Sequence, residues 1–166
     1  WDRYGDLDRS AADSWLRRFE RELALELGME DAVVMPSGGM AQSIALLVHR
    51  GQRRPPRNRF ACHATSHLLL HEQEAYRELL GMEPIVVGSD VVDGAFYGPM
   101  TFDRVAAALE PQADGLATLL LELPHRELGG KCTPWADVLR MSDFCRARGV
   151  AFHCDGARLF EATAHY

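Results

Sequence analysis

The sequence predicts an α/β fold around a mainly parallel sheet. Three observations lead there. Strand-like and helix-like segments alternate along almost the whole chain. The strand segment 116–123 has an apolar run too continuous for a half-exposed strand. Residues that start and stop helices stand at the joins between segments.

The segments follow in order. "SAADSWLRRFERELALELG" (10–28) places Trp15, Phe19, Leu23 and Leu27 on one helical face, with Gly28 as a stop. "DAVVMP" (31–36) reads as a short buried strand, "SGG" (37–39) as a tight turn and "MAQSIALLVHR" (40–50) as a helix. "RRPPRNR" (53–59) is a Pro-broken basic loop. "FACHAT" (60–65) reads as a strand, and "SHLLLHEQEAYRELLG" (66–81) as one helix capped by Ser66 and closed by Gly81. "PIVVG" (84–88) is a strand, and "TFDRVAAALEP" (101–111) a helix with Thr101 as cap and Pro111 as stop. "LATLLLEL" (116–123) is a fully covered strand. "TPWADVLRMSDFCRARG" (133–149) is a helix with Thr133 at the cap, Pro134 at the first helical position and Gly149 at the end. "VAFHCD" (150–155) is the last strand.

Composition narrows the function. The 166 residues carry a net charge of −6, with 47% hydrophobic and 25% charged residues. That balance suits a globular protein and favours neither nucleic acid nor an anionic membrane as partner. "IALLV" (44–48) is far too short to span a bilayer. Cys62, Cys132, Cys145 and Cys154 are scattered without a C-x-x-C pair, which suits a reducing, cytoplasmic setting. Lys131 is the one lysine among the 18 basic residues.

In parallel α/β sheets ligands bind at the carboxyl ends of the strands, so the residues delivered there matter most. Ser37, Gly38 and Gly39 form a glycine turn at a helix N-terminus. Such a turn lets backbone N–H groups approach an anion such as phosphate, although a plain strand-to-helix turn reads the same way. His63, His67 and His71 are spaced four apart. They read as surface or capping histidines, as a flat ring for stacking, or as zinc ligands without the H-E-x-x-H signature. Glu122 and His125 emerge from the next strand, and an imidazole titrates in the range a general base needs. Asp155 and Arg158 end the last strand, as a salt bridge or as two separate ligand contacts. An anion cradle, a stackable ring, a basic histidine, a carboxylate and an arginine together match the demands of pyridoxal phosphate and an amino-acid substrate.

Five motifs in order carry a family resemblance: "YGD" (4–6), "VMPSGGMAQSIAL" (34–46), "TSHLLLHE" (65–72), "LELPHRELGG" (121–130) and "FHCDGARLFEA" (152–162). The chain resembles the threonine aldolase and β-eliminating lyase family of pyridoxal-phosphate enzymes. The last motif, close to the family's H-x-D-G-A-R-[IL]-x-N-A, is the specific one. The resemblance implies an incomplete three-layer αβα large domain of the aspartate-aminotransferase-like fold. By its terms 1–30 is an N-terminal segment and helix, and 31–166 is the first part of the cofactor domain. It implies that Ser37, Gly38 and Gly39 bind the phosphate, His67 stacks on the ring and Asp155 pairs with the ring nitrogen. Arg158 would hold the substrate carboxylate, and His125 would act as base beside the substrate side chain. No metal is expected.

The implied reaction is retro-aldol cleavage of a β-hydroxy-α-amino acid to glycine and an aldehyde, in a cytoplasmic homodimer or homotetramer. β-Elimination on the same fold is the alternative. Gly39, Pro124, Arg126 and Glu161 depart from the family's threonine, threonine, asparagine and asparagine. The family's Schiff-base lysine follows D-G-A-R, whereas Lys131 precedes it. The chain is therefore expected to be part of a longer protein, without that lysine and without the small C-terminal domain. By itself it could be a catalytically incompetent piece.

Overall fold

The structure is a computed structural model that describes residues 14–52, 54–88, 91–92 and 96–166. "YGD" and the start of the first helix segment lie outside the described residues. Two compact units meet in the sequence between Met40 and Ala41.

In the first unit, helix α1 (Trp15–Glu26) starts at Ser14, whose hydroxyl accepts the Arg17 N–H at 3.2 Å. Gly28 turns the chain out of it at φ +64°. The Trp15 and Phe19 rings stack at 5.7 Å, and both are exposed. The deeply buried side chain is instead Glu20. Its carboxylate takes the Arg17 guanidinium at 2.6 Å and the Val34 N–H at 2.8 Å. Arg17 also reaches both Asp31 carboxylate oxygens at 3.2 Å. Segment 31–36 is therefore not the strand its apolar run predicts. Its Val34 N–H serves a carboxylate rather than a sheet ladder, and Val33 and Val34 are exposed. Ser37 accepts the Met40 N–H at 3.2 Å, and Gly38 opens helix α2 (Gly38–Gly51).

The second unit is a four-stranded, wholly parallel sheet. The strands are β1 (Arg59–His63), β2 (Glu83–Val87), β5 (Leu116–Glu122) and β6 (Ala151–Asp155). Their order is β2-β1-β5-β6. A two-stranded antiparallel ribbon, β3 (Val91–Val92) and β4 (Phe96–Tyr97), is an element the sequence pattern does not announce.

Between β1 and β2 the predicted single helix breaks into α3 (His67–Leu70) and α4 (Ala75–Glu78). Gln73 and Glu74 take φ of 48° and 57°, a left-handed conformation that no helix continues through. Ser66 occupies the position before α3, but its side chain makes no capping bond. Gly81 closes the segment at φ +59°, as expected.

Helix α5 (Phe102–Leu109) follows Thr101, which likewise makes no side-chain cap, and passes into a 3-10 turn through Pro111. Helix α6 (Trp135–Arg148) begins one residue later than predicted. Pro134 takes the cap position, while the Thr133 hydroxyl donates to the Met100 carbonyl at 3.0 Å. Gly149 ends it at φ +57°. A last turn of helix, α7 (Leu159–Ala162), follows β6.

Apolar side chains cover both faces of the sheet. Val105, Leu109, Val138, Met141 and Phe144 from α5 and α6 pack on Ala61, Ile85, Leu119 and Leu121. Leu46 of α2, Leu68 of α3 and Tyr76 of α4 pack with Phe60, Cys62 and Leu120 on the other face. All seven residues of β5 are buried, which explains its unbroken apolar run. A right-handed crossover must place its helix on opposite faces when the chain steps in opposite directions. From β1 the chain steps to β2 through α3 and α4, and from β5 to β6 through α6 on the other face. The connections after β1 and β5 therefore diverge and open a crevice between these two neighbours.

Gly88 fixes the end of β2. It has φ +76°, and a Cβ there would lie 2.6 Å from Cδ2 of His63. Gly81 has a similar φ, with nothing within 4 Å. Gly81→Ala should cost about 1 kcal/mol from backbone strain alone. Gly88→Ala should cost at least about 2–3 kcal/mol, because an overpacking clash adds to that strain. Urea denaturation of the full-length variants measures both.

Candidate active site

The crevice is lined by the segments that leave β1 and β5. β1 ends in His63, which is 2% exposed. Its Nε2 lies 3.0 Å from the Gly98 carbonyl, and its Nδ1 accepts the Thr65 N–H at 3.1 Å. The Thr65 hydroxyl lies 3.0 Å from that Nδ1 and 2.9 Å from Nε2 of His125. The His63 and His125 rings meet edge to face at 4.8 Å. Burial, reinforced by the neighbouring His125, lowers the His63 imidazole to about 4.

β5 ends in Glu122, whose buried carboxylate accepts two backbone N–H groups. These are Arg126 at 2.9 Å and His67 at 3.2 Å. Glu122 thereby joins the start of α3 to the loop after β5. Its Oε2 is 3.8 Å from Nε2 of His125. His125 itself is buried, and its backbone pairs with Lys131 in an isolated antiparallel bridge. Gly129 and Gly130, at φ +70° and +79°, close that loop.

The His67 ring is half-exposed at the rim. Its Nδ1 is held by Glu72 at 3.2 Å, and it tilts against His71 at 4.8 Å. His71 turns to Glu127 at 3.0 Å. His63, His67 and His71 thus serve three different partners. Among the described residues no group of three His, Cys, Asp or Glu side chains could hold a metal ion.

β6 runs beside β5 in a register that sets Asp155 opposite Glu122. Asp155 Oδ1 accepts the Ala157 N–H at 3.2 Å. Asp155 and Arg158 form no salt bridge with each other, and neither has an ion-pair partner among the described residues. Arg158 instead lines a cavity of about 460 Å³ with Pro124, Lys131, Cys132, Glu161 and His165. On the same face of β6, His153 meets His49 of α2 at 3.3 Å, and burial lowers both imidazoles.

The unit after Met40 therefore gathers His67, Glu122, His125, Asp155 and Arg158 on the carboxyl edge of one sheet. Ser37 and Gly38 stand at the head of α2 in the first unit, with open space around the Gly38 Cβ position.

Comparison with known proteins decides the family. A family model described as beta-eliminating lyase matches residues 3–166. The chain belongs to the beta-eliminating lyase family. Among curated relatives of this family, the low-specificity L-threonine aldolase 1 of Arabidopsis thaliana is 28% identical over 163 residues, 95% of this chain and 43% of the relative. The low specificity L-threonine aldolase of Escherichia coli strain K12 is 31% identical over 150 residues, 88% and 41% respectively. The chain thus spans about two fifths of these relatives' lengths. A crystal structure from Exiguobacterium sp. 255-15, provisionally described as an aromatic amino acid beta-eliminating lyase/threonine aldolase, superposes with a TM-score of 0.77 at 40% identity. It covers 90% of this chain and 38% of that one. A Listeria monocytogenes EGD-E structure, provisionally described as an L-allo-threonine aldolase, gives 0.74 at 35% identity, covering 87% and 37%. The α/β architecture predicted from the sequence is the one these lyases share.

Sequence reasoning passed over Thr65, which touches both buried histidines. The signal was its place in "HATSH" (63–67), between two rings. It also gave Glu122 no role beyond reaching the rim.

The depressed His63 sets a pH dependence. The unfolded chain takes up a proton near 6.5, which the folded chain refuses until about 4. Stability should therefore fall as pH drops through that window and stay flat above it. Ring-proton NMR should show His63 neutral down to about pH 4.

Proposed function

We propose that the full protein is a pyridoxal-phosphate-dependent lyase that cleaves β-hydroxy-α-amino acids of the threonine type to glycine and an aldehyde. The observation that carries this reading is the uncompensated pair at the end of β6. Asp155 and Arg158 stand three residues apart at the strand end, neither neutralised by the other or by an ion-pair partner among the described residues, and Arg158 faces a cavity of small-molecule size. The threonine aldolase relatives and the ordered motifs support it.

The donor set fits the cofactor. A carboxylate without a cation partner, Asp155, can accept and hold a proton on a ring nitrogen. The half-exposed His67, braced by Glu72, offers a flat face. Ser37, Gly38 and Gly39 are assigned to the phosphate from their motif. When bound, the cofactor supplies an electron sink for the pair released as the Cα–Cβ bond breaks. Arg158 orients the substrate by two parallel hydrogen bonds to its carboxylate. His125 takes the β-hydroxyl proton. A homo-oligomer with a small-molecule amino-acid substrate completes the reading. Among the described residues no helix is long and apolar enough to cross a membrane.

Incubating the full-length protein and cofactor with L-threonine or its allo isomer should release acetaldehyde and glycine. Release of ammonia and a 2-oxo acid instead would mean β-elimination and would overturn the aldol reading. Arg158→Ala should lower kcat/KM roughly 100-fold, mostly through KM, as expected for a lost bidentate contact. His125→Asn should lower kcat by about 100-fold or more, as expected for a lost general base.

A further inference from the structure

We infer that Thr65 and His63 are positioning residues that fix the tautomer of His125, leaving its Nδ1 as the basic atom. The inference follows from the direction of a hydrogen-bond chain with a one-way end, and it rests on the reading of His125 as base.

The Gly98 carbonyl can only accept, so the His63 Nε2 facing it at 3.0 Å carries the hydrogen. A neutral imidazole has one N–H, so Nδ1 of His63 is a bare acceptor. The Thr65 N–H points at that atom from 3.1 Å, which agrees. The Thr65 hydroxyl, 3.0 Å away, meets an acceptor and donates to it. Its oxygen then has only lone pairs for its other neighbour, Nε2 of His125 at 2.9 Å. That nitrogen donates, a direction which the accept-only Thr65 carbonyl beside it requires on its own. The Thr65 carbonyl at 3.2 Å and the Glu122 carboxylate at 3.8 Å stand on the same side, and both can only accept. Three acceptors thus face Nε2.

His125 is held as the Nε2–H form, and its Nδ1 makes no hydrogen bond among the described residues. When the substrate O–H breaks, its proton forms a new bond to Nδ1. The resulting imidazolium keeps Nε2–H aimed at Thr65, with Glu122 beside it to offset the charge. His63 does not compete for this proton, because it stays neutral in the working range.

The test uses the full-length holoenzyme with ¹⁵N-labelled histidine. Long-range ¹H–¹⁵N spectra at about pH 7.5 should show His125 protonated on Nε2, with a pyridine-type Nδ1. An Nδ1–H form in the wild type overturns the proposal without recourse to any variant. Thr65→Val removes the hydroxyl but keeps the carbonyl. It should lower kcat about tenfold with KM little changed and give a mixed His125 tautomer. Thr65→Ser should restore both. A Thr65→Val enzyme with unchanged kcat and unchanged tautomer refutes the positioning role. If His125→Asn retains full activity while the wild-type spectra show Nε2–H, the reading of His125 as base fails and the tautomer assignment stands.

Discussion

The parallel pairing of β1 with β5 is the constraint on which the second unit depends. Both strands are flanked on either side by others, so both faces of each must be covered and their side chains must be apolar. A right-handed connection from each then has to leave toward opposite edges of the sheet. The two connections part at the carboxyl ends of β1 and β5. That gap is where polar residues become affordable, and His63, Thr65, His67, Glu122 and His125 all lie within a few residues of it. The site follows from handedness and burial before any chemistry is specified.

Within the gap the polar groups are arranged so that each has a partner with no choice. Glu122 is buried among backbone donors that can only give, and His63 ends on a carbonyl that can only take. Backbone groups at the ends of a buried network set its polarity, because they neither titrate nor rotate. Asp155 and Arg158, one strand further on, have no ion-pair partner among the described residues, and Asp155 takes a single backbone N–H, that of Ala157.

Much of this was legible in the sequence. Strand segment 116–123 was readable because a strand buried on both faces must be apolar throughout, and segments 60–65, 84–88 and 150–155 as short apolar runs set between helix signals. The β6 rim was readable because Asp155 and Arg158 bracket two small residues after such a strand. Segment 31–36 misled for a local reason: its valines look buried, but the buried group in that unit is Glu20, which captures the backbone a ladder would need. The helix over 66–81 misled because Gln73 and Glu74 are good helix formers held in a left-handed turn, which composition does not reveal. Thr65 was silent because its importance lies in contacts to His125, 60 residues away.

The contact between Gly88 and His63 constrains how this site can change over time. Any side chain at 88 collides with the imidazole, so position 88 is closed while 63 holds a histidine. A smaller residue at 63 removes the collision but also ends the hydrogen-bond chain through Thr65. Even then the positive φ at 88 keeps any side chain there strained, so a change at 63 relieves only part of the cost. The buried glycine at the end of β2 is tied in this way to the fate of a buried ring.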